Sequence, residues 1–185
     1  MWPFCLHLHD ICITLLRVLV FDASSLILLA KIEILEMFLD DSEIEAVMPG
    51  TVMKEVLHYE KEETPIIKAL IEDSRIRIQH LKRTPEISRL MTDFSLHRGE
   101  AEAVHLAFQL EGFVITDDRN AMRLCRLLKV PFLTAIAVLV RLYEKGGFDQ
   151  TMALAKLERL KRFGRYRKEI VAEARKQIQG DLRGK

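Results

Sequence analysis

The chain has 185 residues, 49% of them hydrophobic, which gives one domain a substantial core and excludes a disordered polymer. A formal net charge of +1 excludes a molecule that binds polyanions with its whole surface, but the charge is unevenly spread. Of the 28 basic and 27 acidic residues, 11 and 4 fall from Lys156 onward, leaving 17 and 23 before it.

An acidic body with a basic tail suits cations in the body and an anionic polymer along the tail, although a solvated basic helix explains the tail equally well. Cys5, Cys12 and Cys125 make neither a disulfide framework nor a close zinc pair, so a reducing cytoplasm is the expected location. Residues 1–16 read as an N-terminal extension. They are apolar, but His7, His9 and Asp10 interrupt them and no basic leader precedes them, which fits neither a signal peptide nor a membrane span. His7-x-His9 is at most a weak metal pair.

The fold proper starts near Arg17. Val18 to Phe21 is an unbroken apolar run, as in a parallel strand covered on both faces, and Asp22 stands at its carboxyl end. Ser24 or Ser25 is the expected cap of the following helix, and the alternative is that Asp22 itself is only a cap or a turn residue. A short helix is expected over 33–41, a second strand over 44–48 stopped by Pro49-Gly50, and a helix capped by Thr51 that carries Glu55. Pro65 opens another helix, and Arg75 to His80 alternates as an edge strand. A helix over 85–96 follows. Gly99 then marks a turn before a helix from Glu100 to Leu110, which Gly112 ends. Phe113 to Thr116 is a buried strand ending in Asp117-Asp118. A helix over 120–128, a last short strand over 130–133 and an apolar helix from Thr134 to Lys145 complete a unit over 17–148. Two basic helices over 149–185 are packed on it or extend it. Alternating strands and helices predict a three-layer α/β domain with a mainly parallel sheet of about five strands. No glycine-rich phosphate loop follows the first strand, which removes the common nucleotide-binding readings.

Four acids are placed to converge. Asp22 and Asp118 end or follow two central strands, Glu55 lies in the helix after the second strand, and Glu100 begins a helix. Gathered in one pocket they would repel each other unless a divalent cation neutralised them, and oxygen-only ligands select Mg²⁺ or Mn²⁺. Such an ion can polarise a phosphodiester and acidify water. Glu102 lies about 200° round the helix from Glu100 and is left out of the site. The histidines and methionines are read as surface and packing residues.

Four segments, Phe21-Asp22-Ala23-Ser24, Pro49-Gly50-Thr51-Val52-Met53-Lys54-Glu55-Val56, Gly99-Glu100-Ala101-Glu102-Ala103-Val104 and Val114-Ile115-Thr116-Asp117-Asp118-Arg119, occur in this order and resemble the PIN domain nucleases, in particular a prokaryotic subgroup. The resemblance covers about Arg17 to Phe148. It implies a metal-dependent endoribonuclease acting on single-stranded RNA and leaving a 5′-phosphate and a 3′-hydroxyl. It also implies, for many prokaryotic members, the toxin half of a toxin–antitoxin pair. Carried over, Asp22, Glu55, Glu100 and Asp118 are the acidic set, with Glu100 standing where many relatives have Asp. Asp22, Glu100 and Asp118 are metal ligands, and Asp117 is a rival ligand for the fourth position or an additional acid that supports the ligands. Ser24 and Thr116 are hydroxyls that orient a carboxylate or water. Arg98, Arg119 and Arg123 near the rim, with Lys161, Arg162, Arg165, Arg167 and Lys168 beyond, are expected phosphate contacts. The partners implied are RNA, an antitoxin whose basic side chain crosses the acidic pocket, and a second copy of the chain, docked through the apolar helix over 134–143; no membrane is expected. Two alternatives stay open: a PIN fold that binds RNA or a partner without catalysis, and a receiver-like α/β domain with an acid pocket.

Overall fold

A computed structural model describes residues 18–42, 44–58 and 62–180. The expected extension, with its His7-x-His9 pair, lies outside these residues. Among them, five strands and ten helices alternate. The strands are Val18–Phe21 (β1), Glu45–Pro49 (β2), Arg77–Gln79 (β3), Phe113–Ile115 (β4) and Phe132–Leu133 (β5). The helices are Ala23–Lys31 (α1), Leu35–Asp41 (α2), Gly50–His58 (α3), Thr64–Glu72 (α4), Pro85–Phe94 (α5), Arg98–Gln109 (α6), Arg119–Leu128 (α7), Ala135–Glu144 (α8), Gln150–Phe163 (α9) and Lys168–Ile178 (α10).

All neighbouring strands pair in parallel, in the order β3-β2-β1-β4-β5. This is the three-layer α/β/α architecture expected of the sequence. The alternation of side chains along each strand divides the core in two. Leu19 and Phe21 of β1, with Phe113 and Ile115 of β4, face one layer built from α1 to α4 and α8 to α10. Val18, Val20 and Val114 face the other, built from α5, α6 and α7. Val20 stands opposite Val47 on one side and Val114 on the other, so β1 is the centre of the sheet. Every residue of β1 is buried, which is why that strand reads as a continuous apolar run.

Side-chain oxygens start several helices by accepting orphan backbone N–H groups. Asp22 caps α1, Thr84 α5, Asp118 α7, Thr134 α8 and Asp149 α9. Three expectations at helix starts need correction. Neither Ser24 nor Ser25 caps α1; both lie inside that helix, and Asp22 is its cap. Thr51 is not the cap of α3, because that helix already begins at Gly50 and the Thr51 hydroxyl is engaged elsewhere. Gly99 is not a turn residue but lies in the first turn of α6, which begins at Arg98. Ala135, Ile136, Val138, Leu139, Val140 and Leu142 of α8 are buried inside the protomer, against α9 and α10. The surface expected to join two copies through this helix is therefore spent in the core. No helix among the described residues is long and apolar enough to cross a membrane.

Candidate active site

The strand order makes one place in the sheet special. After β1 the chain moves to β2 on one side, whereas after β4 it moves to β5 on the other. The connections diverge, leaving a crevice outside the carboxyl ends of β1 and β4, where open parallel sheets bind their ligands. Asp22 follows β1 and Thr116-Asp117-Asp118 follows β4 at that crevice. Asp22 is only 1% exposed. Its Oδ1 accepts from Ser25 N at 2.7 Å and Ser24 Oγ at 3.1 Å. Its Oδ2 accepts from Thr116 Oγ1 at 2.5 Å. Thr116 Oγ1 in turn accepts the backbone N–H of Asp118 at 3.2 Å. One hydroxyl thus ties the two strand-end acids together. Burial pushes the Asp22 carboxyl up to about 6, against the pull of the Thr116 and Ser25 bonds, and the nearby Asp117 charge adds to the rise.

The other acids come from the helices beside this crevice. The Glu100 carboxylate closes the first turn of α6, with Oε2 accepting His97 N at 2.8 Å. Burial raises its pKa, the His97 bond opposes this, and the Asp118 charge raises it further. Asp118 spends Oδ1 on capping α7, accepting from Asn120 N and Ala121 N at 2.8 Å each. Glu55 of α3 reaches across to α6 and accepts the Gly99 N–H. Burial raises its pKa most, then the charge of Glu100, while His97 opposes and Glu102 adds. A Cβ at Gly99 would lie 2.8 Å from Glu55 Oε1, so a larger residue there would make the Glu55 carboxylate move.

Two further acids lie next to these groups. Glu102, left out as lying on the far side of its helix, is 1% exposed. It accepts from the Thr51 hydroxyl and from Arg98 Nε at 2.6 Å, so it fastens α6 to α3 next to Glu55. The rotation that turns Glu102 away from Glu100 turns it toward Thr51 of α3. Asp117 has both oxygens occupied within the protein. Oδ2 accepts from Ser25 Oγ at 3.1 Å and Ala135 N at 3.0 Å, and Oδ1 accepts from Tyr166 Oη at 2.8 Å. Burial raises the Asp117 carboxyl against all three bonds. Tyr166, in the loop between α9 and α10, had no signal in its own neighbourhood beyond the flanking Arg165 and Arg167.

Arg119 and Arg123 are exposed on α7 directly after the Asp118 cap, whereas Arg98 is held by Glu102. Lys161 pairs with Glu158 at 3.4 Å, and Arg162 lies over the Phe163 ring at 5.9 Å. Both are at the end of α9, on the approach to Tyr166. Cys125 is buried in α7, its thiol pushed up to about 12 by burial and by the Asp22 charge, which makes it a packing residue rather than a nucleophile.

Among the described residues no three Asp, Glu, His or Cys side chains close on a single point as a coordination sphere. The donor chemistry nonetheless fits a hard divalent cation. Asp22, Glu55, Glu100 and Asp118 offer only oxygen, and the carboxylates that raise one another's pKa form a field such a cation would relieve. A family profile described as a PIN domain matches residues 18–180, which includes α9 and α10. With most of its length matched, the chain belongs to the PIN domain family. No curated protein matches it.

Proposed function

We propose that this PIN-domain chain is a metal-dependent endoribonuclease that cleaves single-stranded RNA. The observation that carries the proposal is a chain of contacts that starts at the switch point of the sheet: Thr116 ties Asp22 to the Asp118 N–H, the Asp118 charge acts on Glu100, and the Glu100 charge acts on Glu55. Asp22, Glu55, Glu100 and Asp118 would hold Mg²⁺ or Mn²⁺. A divalent cation supplies Lewis acidity, polarising the phosphodiester and acidifying the attacking water. The chain's own groups set the geometry. Thr116, Ser24 and Ser25 hold the Asp22 carboxylate. The Gly99 N–H turns Glu55 toward Glu100. The caps at His97 N and Asn120 N fix one oxygen each of Glu100 and Asp118. Because the Asp118 charge acts on Glu100, whereas Asp117 bonds Ser25, Ala135 and Tyr166, we assign the fourth ligand to Asp118 and a supporting role to Asp117. Arg119 and Arg123 at the rim contact phosphates. Water attack in line would leave a 5′-phosphate and a 3′-hydroxyl. The biological role that goes with this reading is the toxin of a toxin–antitoxin pair in the cytoplasm, with the antitoxin covering the acid pocket.

The burial of Asp22 favours a second reading, a PIN fold that binds RNA or a partner without cleaving it. One experiment separates them: cleavage of a mixed single-stranded RNA in Mn²⁺, Mg²⁺ or chelator, beside the Asp22→Asn protein. Cleavage that needs both the ion and Asp22 is expected. Cleavage by the Asp22→Asn protein equal to wild type would overturn the assignment. RNA binding that is equal in chelator and in metal, with no cleavage, would favour the non-catalytic module.

A further inference from the structure

The α9–α10 hairpin is joined to the acid pocket at one point. Tyr166 donates its hydroxyl to Asp117, and Gly164 makes room for the ring, since a Cβ there would lie 2.2 Å from Tyr166 Cε2. The hairpin is fixed elsewhere as well: Leu157, Leu160, Val171, Ala174 and Ile178 are buried, Lys156 Nζ donates to Ile32 O at 2.7 Å, and Arg159 Nη1 donates to Glu33 Oε1 at 2.8 Å. Two residues past Tyr166, at Lys168, a groove of about 530 Å³ begins between the two helices. Its charged lining is Lys161, Lys168, Arg175 and Lys176, with Gln179 at its far end, and no acidic side chain lines it. Glu158 pairs with Lys161 and Arg175 from outside and offsets part of that charge, while Lys168 and Lys176 are exposed. Along α10, Lys168 and Lys176 are separated by about 12 Å at ~1.5 Å per residue. The basic track therefore runs along α10 from the loop that holds Tyr166.

We propose that this groove is a distal site for the phosphates of the RNA strand leaving the acid pocket, and that the Tyr166–Asp117 bond sets its position relative to that pocket. A flexible strand of regularly spaced charges suits an open groove with several cations and no deep apolar pocket. The proposal rests on the RNA-cleaving reading. Tyr166 acts as a positioning residue, because its hydroxyl is spent on Asp117.

The test uses the full-length protein with a labelled 12-nucleotide single-stranded RNA, binding being measured in chelator over a range of salt. The double variant Lys168→Gln, Lys176→Gln is expected to bind roughly tenfold more weakly at about 0.15 M salt. Its plot of log affinity against log salt should flatten by about 1.4, ~0.7 for each lost phosphate contact on a single strand. Affinity and slope equal to wild type would overturn the groove, as would displacement of the RNA by an acidic peptide that binds the wild-type groove more tightly. Tyr166→Phe keeps the charges and removes the tie. Its kcat/KM should fall on the 12-mer more than on a trinucleotide, with binding in chelator retained. An equal fall on both substrates would place Tyr166 in the pocket alone and overturn the positioning role. Wild-type binding with the full salt slope but no cleavage in any metal would remove the nuclease reading and leave the groove supported.

Discussion

Replacing Asp22 with Asn should stabilise the metal-free protein at neutral pH. The side chain is 1% exposed, and its pKa is raised from 3.8 to about 6, chiefly by burial. The folded state therefore holds a proton that the unfolded state has already lost. The stability from this group is complete below about pH 4 and is lost as the pH rises through about 6. A shift of about two units at ~1.4 kcal/mol each makes the buried carboxylate cost about 3 kcal/mol at pH 7.5. Asn keeps Oδ1 for the Ser25 N–H, places an Nδ2 donor against the Thr116 hydroxyl where Asp22 had an acceptor, and carries no charge. In chelator, urea unfolding at pH 7.5 should show the Asp22→Asn protein more stable by roughly 3 kcal/mol, or ~6–12 °C in Tm for a chain of this size. Near pH 4 the two proteins should converge. Glu55, Glu100 and Asp117 also have raised values, so wild type and variant share a slope from them, and their difference isolates Asp22. Added Mg²⁺ or Mn²⁺ should then stabilise wild type alone, by about 2.7 kcal/mol at a hundred times Kd. An Asn variant less stable than wild type at pH 7.5 in chelator would refute the reasoning, because the charge would then be compensated within the protein.

Gly99→Ala should separate stability from activity. Alanine favours the helix by up to about 1 kcal/mol, but its Cβ displaces the Glu55 carboxylate, so Tm should hold or rise while RNA cleavage falls about tenfold or more. Thr116→Val removes the hydroxyl between Asp22 and the Asp118 N–H, leaving a buried carboxylate oxygen unpaired. It should cost about 1–3 kcal/mol in urea unfolding and reduce cleavage with it. Thr51→Val releases the buried Glu102 and should cost about 1–3 kcal/mol by the same measurement. A cost under about 0.5 kcal/mol, within the scatter of ordinary surface substitutions, would show that Arg98 alone satisfies Glu102.

Much of the fold was legible because it is written in local patterns. Val18 to Phe21 and Phe113 to Ile115 are apolar without alternation, since both faces of a central parallel strand are covered. Asp22, Asp118 and Thr134 stand where helix starts need an acceptor. The same residues supplied the acids of the candidate site, because a strand end that caps a helix also places a carboxylate at the sheet's edge. What could not be read was which strand lies beside which. The order β3-β2-β1-β4-β5 depends on pairings between residues far apart in the chain, and it alone brings Asp22 to Thr116. The helical faces were ambiguous for a related reason. A periodicity shows that Glu100 and Glu102 point apart, but not that α3 lies against the second of them, so that Glu102 is buried and a larger residue at Gly99 would make the Glu55 carboxylate move. Tyr166 is the furthest case. Its partner Asp117 lies 49 residues earlier, and only the folding of α9 and α10 back onto the sheet makes the two meet.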